Sequence, residues 1–201
     1  RVDLAGRTDS RVHAIGQVSA FSAETRHAAE TVRKALNANL PEDVSVRAVR
    51  AVPAGFDPRR WARKRWYRYT IANGEAREPL TRRGAWFVEG NLDVRAMQAA
   101  AQALAGKKDF SAFSGPLEPE RTPVRTVFTA GWRCEGSTLL FDIEADAFLP
   151  QMVRRITGSL IRVGRGAETV EEIVRLLQQA EPGSMAYVAP AHGLCLQRVW
   201  Y

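Results

Sequence analysis

The stretch Gly6–Ala14, GRTDSRVHA, sets one carboxylate, Asp9, between two arginines, Arg7 and Arg11, each two residues away. An ordinary turn is built from Gly, Asn or Pro and gains nothing from two guanidiniums around an aspartate. Neighbouring cations favour the ionised carboxylate, which makes Asp9 a poor proton donor and a standing anion. Such an anion can act as a base, or as a nucleophile toward a sugar anomeric carbon, splitting one hard displacement into two easier ones. A retaining glycosidase needs a second carboxylate, and this loop offers none nearby. The competing reading is a solvated ion-pair cluster worth under about 1 kcal/mol.

Two further clusters bear on that choice. Arg59–Tyr69, RRWARKRWYRY, interleaves six cations with four aromatics, the composition of a surface that neutralises phosphates while stacking bases. A strand alternating core and solvent positions explains it nearly as well. Met152–Gly158, MVRRITG, puts Arg154 and Arg155 in the first turns of a helix, where positive charge opposes the helix dipole and calls for a compensating anion. Asp9 or a phosphate would supply one.

Other chemistries are excluded. No phosphate-cradling Gly-rich loop, dinucleotide fingerprint or nucleophile elbow occurs. His13, His27 and His192 are scattered without metal or triad spacing. Cys134 and Cys195 lie far apart without a ligand partner, which disfavours a disulfide framework or a zinc site and leaves two plain buried thiols as the expectation. The chain has 201 residues, is 45% hydrophobic and carries a net charge of +7, with 25 of its 29 cations being Arg. This balance suits a polyanionic partner, although a GC-rich genome would raise Arg content without functional meaning. No apolar run approaches the ~18 residues of a membrane span, and the first residues lack the apolar core of a signal peptide, so a cytoplasmic protein is expected.

The elements that must hold these residues follow from periodicity. Val12–Phe21 alternates as a half-buried strand leaving the Asp9 loop, and Val44–Ala48 alternates as another. Between them Ala28, Val32, Ala35, Leu36 and Leu40 recur at helical steps until Pro41. Pro53–Lys64 mixes Pro, Gly and charge without period and marks a junction, giving lobes 1–53 and 54–201. Next, Tyr67, Tyr69 and Ile71 share one face of a strand, with Trp66, Arg68 and Thr70 on the other. Gly84–Gly90 reads as a short strand, and Asn91 or Asp93 can cap a helix that Gly106 ends. A hairpin turns at Glu135–Ser137. A helix through Met152–Val163 tolerates Pro150 in its first turn, Thr169 and Glu172 form a capping box, and Leu194–Trp200 is a closing strand. Mixed elements with hairpins and no regular βαβ alternation make the class α+β.

These motifs are familiar together. GRTDSRVHA resembles the GRTDAGVHA signature of the TruA-type tRNA pseudouridine synthases. The likeness continues through LNANLP (Leu36–Pro41), YRY (Tyr67–Tyr69), KDFSAF (Lys108–Phe113), RTPVRTV (Arg121–Val127) and MVRRITGSL (Met152–Leu160), and spans Gly6 to Tyr201. The resemblance implies the pseudouridine synthase fold, with two lobes flanking a basic cleft, and isomerisation of uridine to pseudouridine in the anticodon arm of tRNA. It implies Asp9 as the nucleophile, attacking either the anomeric carbon or the uracil ring. Tyr67 would stack on the target base and help to remove the proton on carbon 5. Arg154 would pair with the aspartate, and Arg7 would help to hold the flipped nucleotide. A homodimer is implied; a metal or cofactor is not.

The chain departs from the signature at Ser10 and Arg11, where the family has Ala and Gly, so a reshaped loop is expected. Pro150 and Gln151 stand where relatives often carry two His. The first strand and helix of the family's N-terminal lobe do not precede Arg1, so this lobe is expected to be incomplete. A catalytically silent RNA-binding relative is the alternative.

Overall fold

The computed structural model describes residues 1–118, 120, 122–185 and 187–201; Arg121 of the RTPVRTV segment lies outside them. Its centre is the strand β4 (Lys64–Gly74), where the alternation of the sequence becomes an alternation of burial. Arg65, Tyr67, Tyr69 and Ile71 are buried, while Lys64, Trp66, Arg68 and Thr70 are half-buried on the opposite face. Successive side chains of a strand point to opposite faces, so this parity fixes what β4 shows to the core.

Around β4 a seven-stranded mixed sheet assembles from β2 (His13–Ala14), β5 (Trp86–Glu89), β6 (Gly106–Asp109), β7 (Val124–Glu135), β8 (Thr138–Ala145) and β9 (Leu194–Trp200). The order is β2-β9-β4-β8-β7-β6, and β5 also pairs with β4. The β7–β8 hairpin closes across Gly136 and Ser137, with Gly136 at φ 60° as a two-residue turn requires. β4 runs antiparallel to β8, with Tyr67 opposite Ile143 and Tyr69 opposite Phe141, so those four side chains share the core face. A bulge between Trp66 and Tyr67 shifts the register with β9. β6 is a polar edge strand, GKKD, with no apolar alternation to announce it.

Four α-helices occur among the described residues: α1 (Ala29–Asn39), α2 (Val94–Gln102), α3 (Met152–Gly164) and α4 (Val170–Gln179). The Asp93 side chain caps α2 by accepting from the Ala96 amide, and Thr169 with Glu172 forms the expected capping box on α4. Met152, Val153, Ile156, Leu160, Ile161 and Val163 bury α3 in a common core with Tyr69, Phe110, Phe141 and Met97 of α2. No described helix is long and apolar enough to cross a membrane.

Several expectations are corrected. Val12–Phe21 is not one strand: only His13–Ala14 and Ser19–Ala20 pair, on different partners, with Gly16 between them. Val44–Ala48 forms no ladder among the described residues; the Asn37 side chain instead bonds both the amide and the carbonyl of Val46. α1 buries none of its residues. α2 stops at Gln102, and Gly106 opens β6 rather than ending the helix. Pro150 lies outside α3, whose N-cap is Gln151 at φ 60°. Neither cysteine is buried, Cys134 being exposed and Cys195 half-buried.

Candidate active site

The Asp9 loop is fastened at its base and again along its exit. At the base, Ala5 donates its amide to Val18 O at 2.9 Å, and the Gln17 side chain donates to Gly6 O at 2.8 Å. The strand pair β1 (Asp3–Leu4) and β3 (Ser19–Ala20) continues this closure outward. At the exit, the amides of Ile15 and Gly16 both donate to Leu196 O, at 2.9 and 3.2 Å, which docks β2 parallel to β9. Gly16 is needed there because a Cβ would stand 2.2 Å from the Gln197 carbonyl oxygen.

Inside the loop, the Val12 amide donates to Asp9 O at 3.1 Å and closes a tight turn, with Arg11 at φ 67°. This is the left-handed conformation that glycine reaches freely and a side chain reaches at a cost of about 1 kcal/mol or more. Arg11 therefore bears backbone strain in this turn.

The cation on Asp9 is neither of its near neighbours. Arg154, on the first turn of α3, donates from Nη1 to Asp9 Oδ2 at 2.7 Å. Among the described residues no other group bonds this carboxylate, so Oδ1 is left without a protein donor. The Arg154 side chain is 16% exposed and Asp9 40%, which leaves the anion reachable from solvent while its partner is held. Arg154 Nε donates to Ala189 O at 2.7 Å, and the Ala189 amide donates to Arg154 O. Gly158, one turn further along α3, permits this crossing, since a Cβ there would stand 2.6 Å from the Tyr187 ring.

Tyr67 lies beside the base of this loop. It is 7% exposed, and its hydroxyl approaches Gly6, where a Cβ would be 3.8 Å from Oη. Phe148 packs edge-on against its ring at 5.1 Å, a contact worth about 1 kcal/mol beyond its area. Burial pushes the phenol up to about 12, with Asp9 adding to the rise and Arg65 opposing it, so Tyr67 is neutral at physiological pH. Arg7 is exposed, and among the described residues its guanidinium has no partner. The loop thus places Asp9 on Arg154, with Tyr67 near enough to feel its charge, and leaves Arg7 and Arg11 outside that contact.

A carboxylate with one oxygen on a fixed guanidinium and the other open, near a neutral phenol, can attack an electrophilic carbon or hold a proton. Residues 100–201 match the family model described as tRNA pseudouridine synthase. Proteins called tRNA pseudouridine synthase A from Citrifermentans bemidjiense, Roseiflexus castenholzii and Thermosipho africanus are 41%, 43% and 40% identical to it. These alignments cover 98%, 100% and 98% of this chain and 79%, 75% and 81% of the relatives. The chain belongs to the tRNA pseudouridine synthase family.

Membership in this family accounts for the α+β class and its mixed sheet. One buried residue beside the site escaped the sequence reading. Arg65 lies two positions before Tyr67 and so shares its face; that parity was the available signal, hidden by the charge run around it.

Proposed function

We propose that this chain is an enzyme that isomerises uridine to pseudouridine in the anticodon stem-loop of tRNA, with Asp9 as the nucleophile. The observation that supports this most is the 2.7 Å pair between Asp9 and Arg154, in a chain whose relatives carry the name tRNA pseudouridine synthase A. The carboxylate bonds transiently to the nucleoside, at the anomeric carbon or on the uracil ring. In either course the bond from N1 to the ribose breaks, the base turns, and a bond from carbon 5 to the ribose forms. The proton on carbon 5 leaves and N1 gains one, so no atom is added or lost. Arg154 holds the carboxylate aimed. Tyr67 stacks on the base and, being neutral, carries the carbon 5 proton only by passing its own onward.

Extruding a base from an RNA stem costs a few kcal/mol, which stacking and phosphate contacts offset. Arg7, without a partner among the described residues, binds the flipped nucleotide in this reading. The same reading divides the chain into lobes 1–53 and 54–201 that flank the RNA in a basic cleft, pairs two copies as a homodimer and puts the protein in the cytoplasm.

The test is Asp9→Asn with an anticodon stem-loop substrate. Pseudouridine formation should vanish while RNA affinity stays within severalfold of wild type. Equal turnover by the two proteins removes Asp9 from the mechanism. Binding without product, even by the wild type at high concentration, selects the catalytically silent RNA binder instead.

A further inference from the structure

Arg65 is 7% exposed and lies on the core face of β4, and among the described residues no carboxylate bonds its guanidinium. Its donors go to three main-chain carbonyls. Nε and Nη2 both reach Ala5 O, at 3.3 and 2.9 Å; Nη2 also reaches Arg59 O at 2.8 Å; and Nη1 reaches Asp146 O at 2.7 Å. Four of the five N–H donors of an arginine are used in this way.

The three carbonyls come from three separate segments. Ala5 immediately precedes Gly6 and the Asp9 loop. Arg59 belongs to the irregular stretch before β4. Asp146 begins the connection from β8 to α3, which carries Phe148 onto the Tyr67 ring and delivers Arg154. Opposite Arg65 across the ladders stand Ala145 and Val199, the former small enough to leave room for a guanidinium.

A buried cation solvated only by carbonyls adds less to net stability than an apolar replacement of similar size could, because desolvation costs so much. Its geometric effect is larger: a planar fork fixes the directions of every carbonyl it binds, which a point-like ammonium does not. The Asp146 carboxylate acts on Arg65 only through space: its Oδ1 accepts from the Thr126 and Ala147 amides, and it is the main-chain carbonyl of Asp146 that bonds the guanidinium.

We propose that Arg65 is a positioning residue for the reaction, setting the Asp9 loop against the Phe148 connection so that Asp9, Arg154 and Tyr67 keep their mutual spacing. The proposal rests on the isomerase reading above. Arg65 touches no reacting atom; it acts through the carbonyls of Ala5 and Asp146.

The experiment compares wild type, Arg65→Lys and Arg65→Met on an anticodon stem-loop, measuring kcat, RNA Kd and amide hydrogen exchange. A misplacement of about 1 Å costs about a hundredfold in rate, so kcat should fall about tenfold in Arg65→Lys and about a hundredfold in Arg65→Met. RNA Kd should stay within about twofold, since the guanidinium is buried away from phosphate. Exchange at residues 5–10 should rise while the β4–β8 ladder keeps its protection. Arg65→Lys keeps the charge and the bulk, so it remains informative if Arg65→Met does not fold. Unchanged kcat in folded Arg65→Lys, or loss of protection throughout the sheet, overturns the positioning role. Wild type that makes no pseudouridine overturns the reading beneath it, and the role falls with it.

Discussion

The segment up to Val52 and the sheet from Lys64 to Trp200 are built by different means. The sheet owns its core: β4, β8 and β9 present Tyr69, Phe141, Ile143, Leu194 and Leu196 to α2 and α3. The first segment supplies one residue to the buried core, Ala5. Its helix α1 buries nothing, its strands are two residues long, and Leu4, Phe21, Val44 and Val52 are exposed. Yet it carries Asp9. The catalytic carboxylate of the proposed reaction is therefore held by cross-links to the sheet and α3, at Leu196, Arg154 and Arg65, rather than by packing of its own.

That contrast is broken most severely at Gly16, where β9 and the loop touch backbone to backbone. In Gly16→Ala the new Cβ would meet the carbonyl oxygen of Gln197 at 2.2 Å and its carbonyl carbon at 2.8 Å, neither of which can rotate away. Overpacking costs about 1–3 kcal/mol, and here it lifts the loop off β9. Turnover should fall about a hundredfold, as expected for a misplacement of about 1 Å. The β4–β8 ladder should keep its hydrogen-exchange protection while the amides of Ile15 and Gly16 lose theirs. A variant with wild-type turnover would show that the Leu196 carbonyl does not hold the loop.

The sheet side of the contrast is sharpened by pH. Burial raises Tyr67 from an ordinary value near 10 to about 12, so the unfolded chain gives up this proton first. Its contribution is present in full below pH 10 and is lost as pH rises from 10 to 12. Two units correspond to about 2–3 kcal/mol. Urea titrations should show a fall in stability over that window that is shallower by this amount in Tyr67→Phe. Identical slopes would mean that the phenol is not buried in solution.

Where side-chain parity or a local cap decides structure, the sequence is readable: the two faces of β4, the turn at Gly136, and the caps at Asp93 and Thr169 all lie within a few residues of their signals. Parity does not say whether a neighbour exists. Val44–Ala48 alternates as well as β4 does and pairs with nothing, and β6 pairs with β7 without alternating. The site divides the same way. A cation misplaced against the α3 dipole pointed to an anion, and Asp9 meets Arg154. The local pattern pointed to Arg7 and Arg11 as the partners of Asp9, because spacing along the chain carries no information about a residue 145 positions away.

The smallest effect concerns the loop's own conformation. Arg11 at φ 67° occupies the third position of the turn closed by the Val12 amide and the Asp9 carbonyl. An L-residue pays about 1 kcal/mol or more there, which glycine does not. Glycine also widens the unfolded ensemble, which offsets part of the gain. Arg11→Gly should therefore raise stability by at most about 1 kcal/mol, read as a higher urea midpoint with an unchanged slope. Turnover should change little, because Arg154 and not Arg11 holds the carboxylate. A large loss of turnover at unchanged stability would instead make Arg11 a participant in binding RNA, and would add to Arg7 a second contact that the first segment makes without help from the sheet.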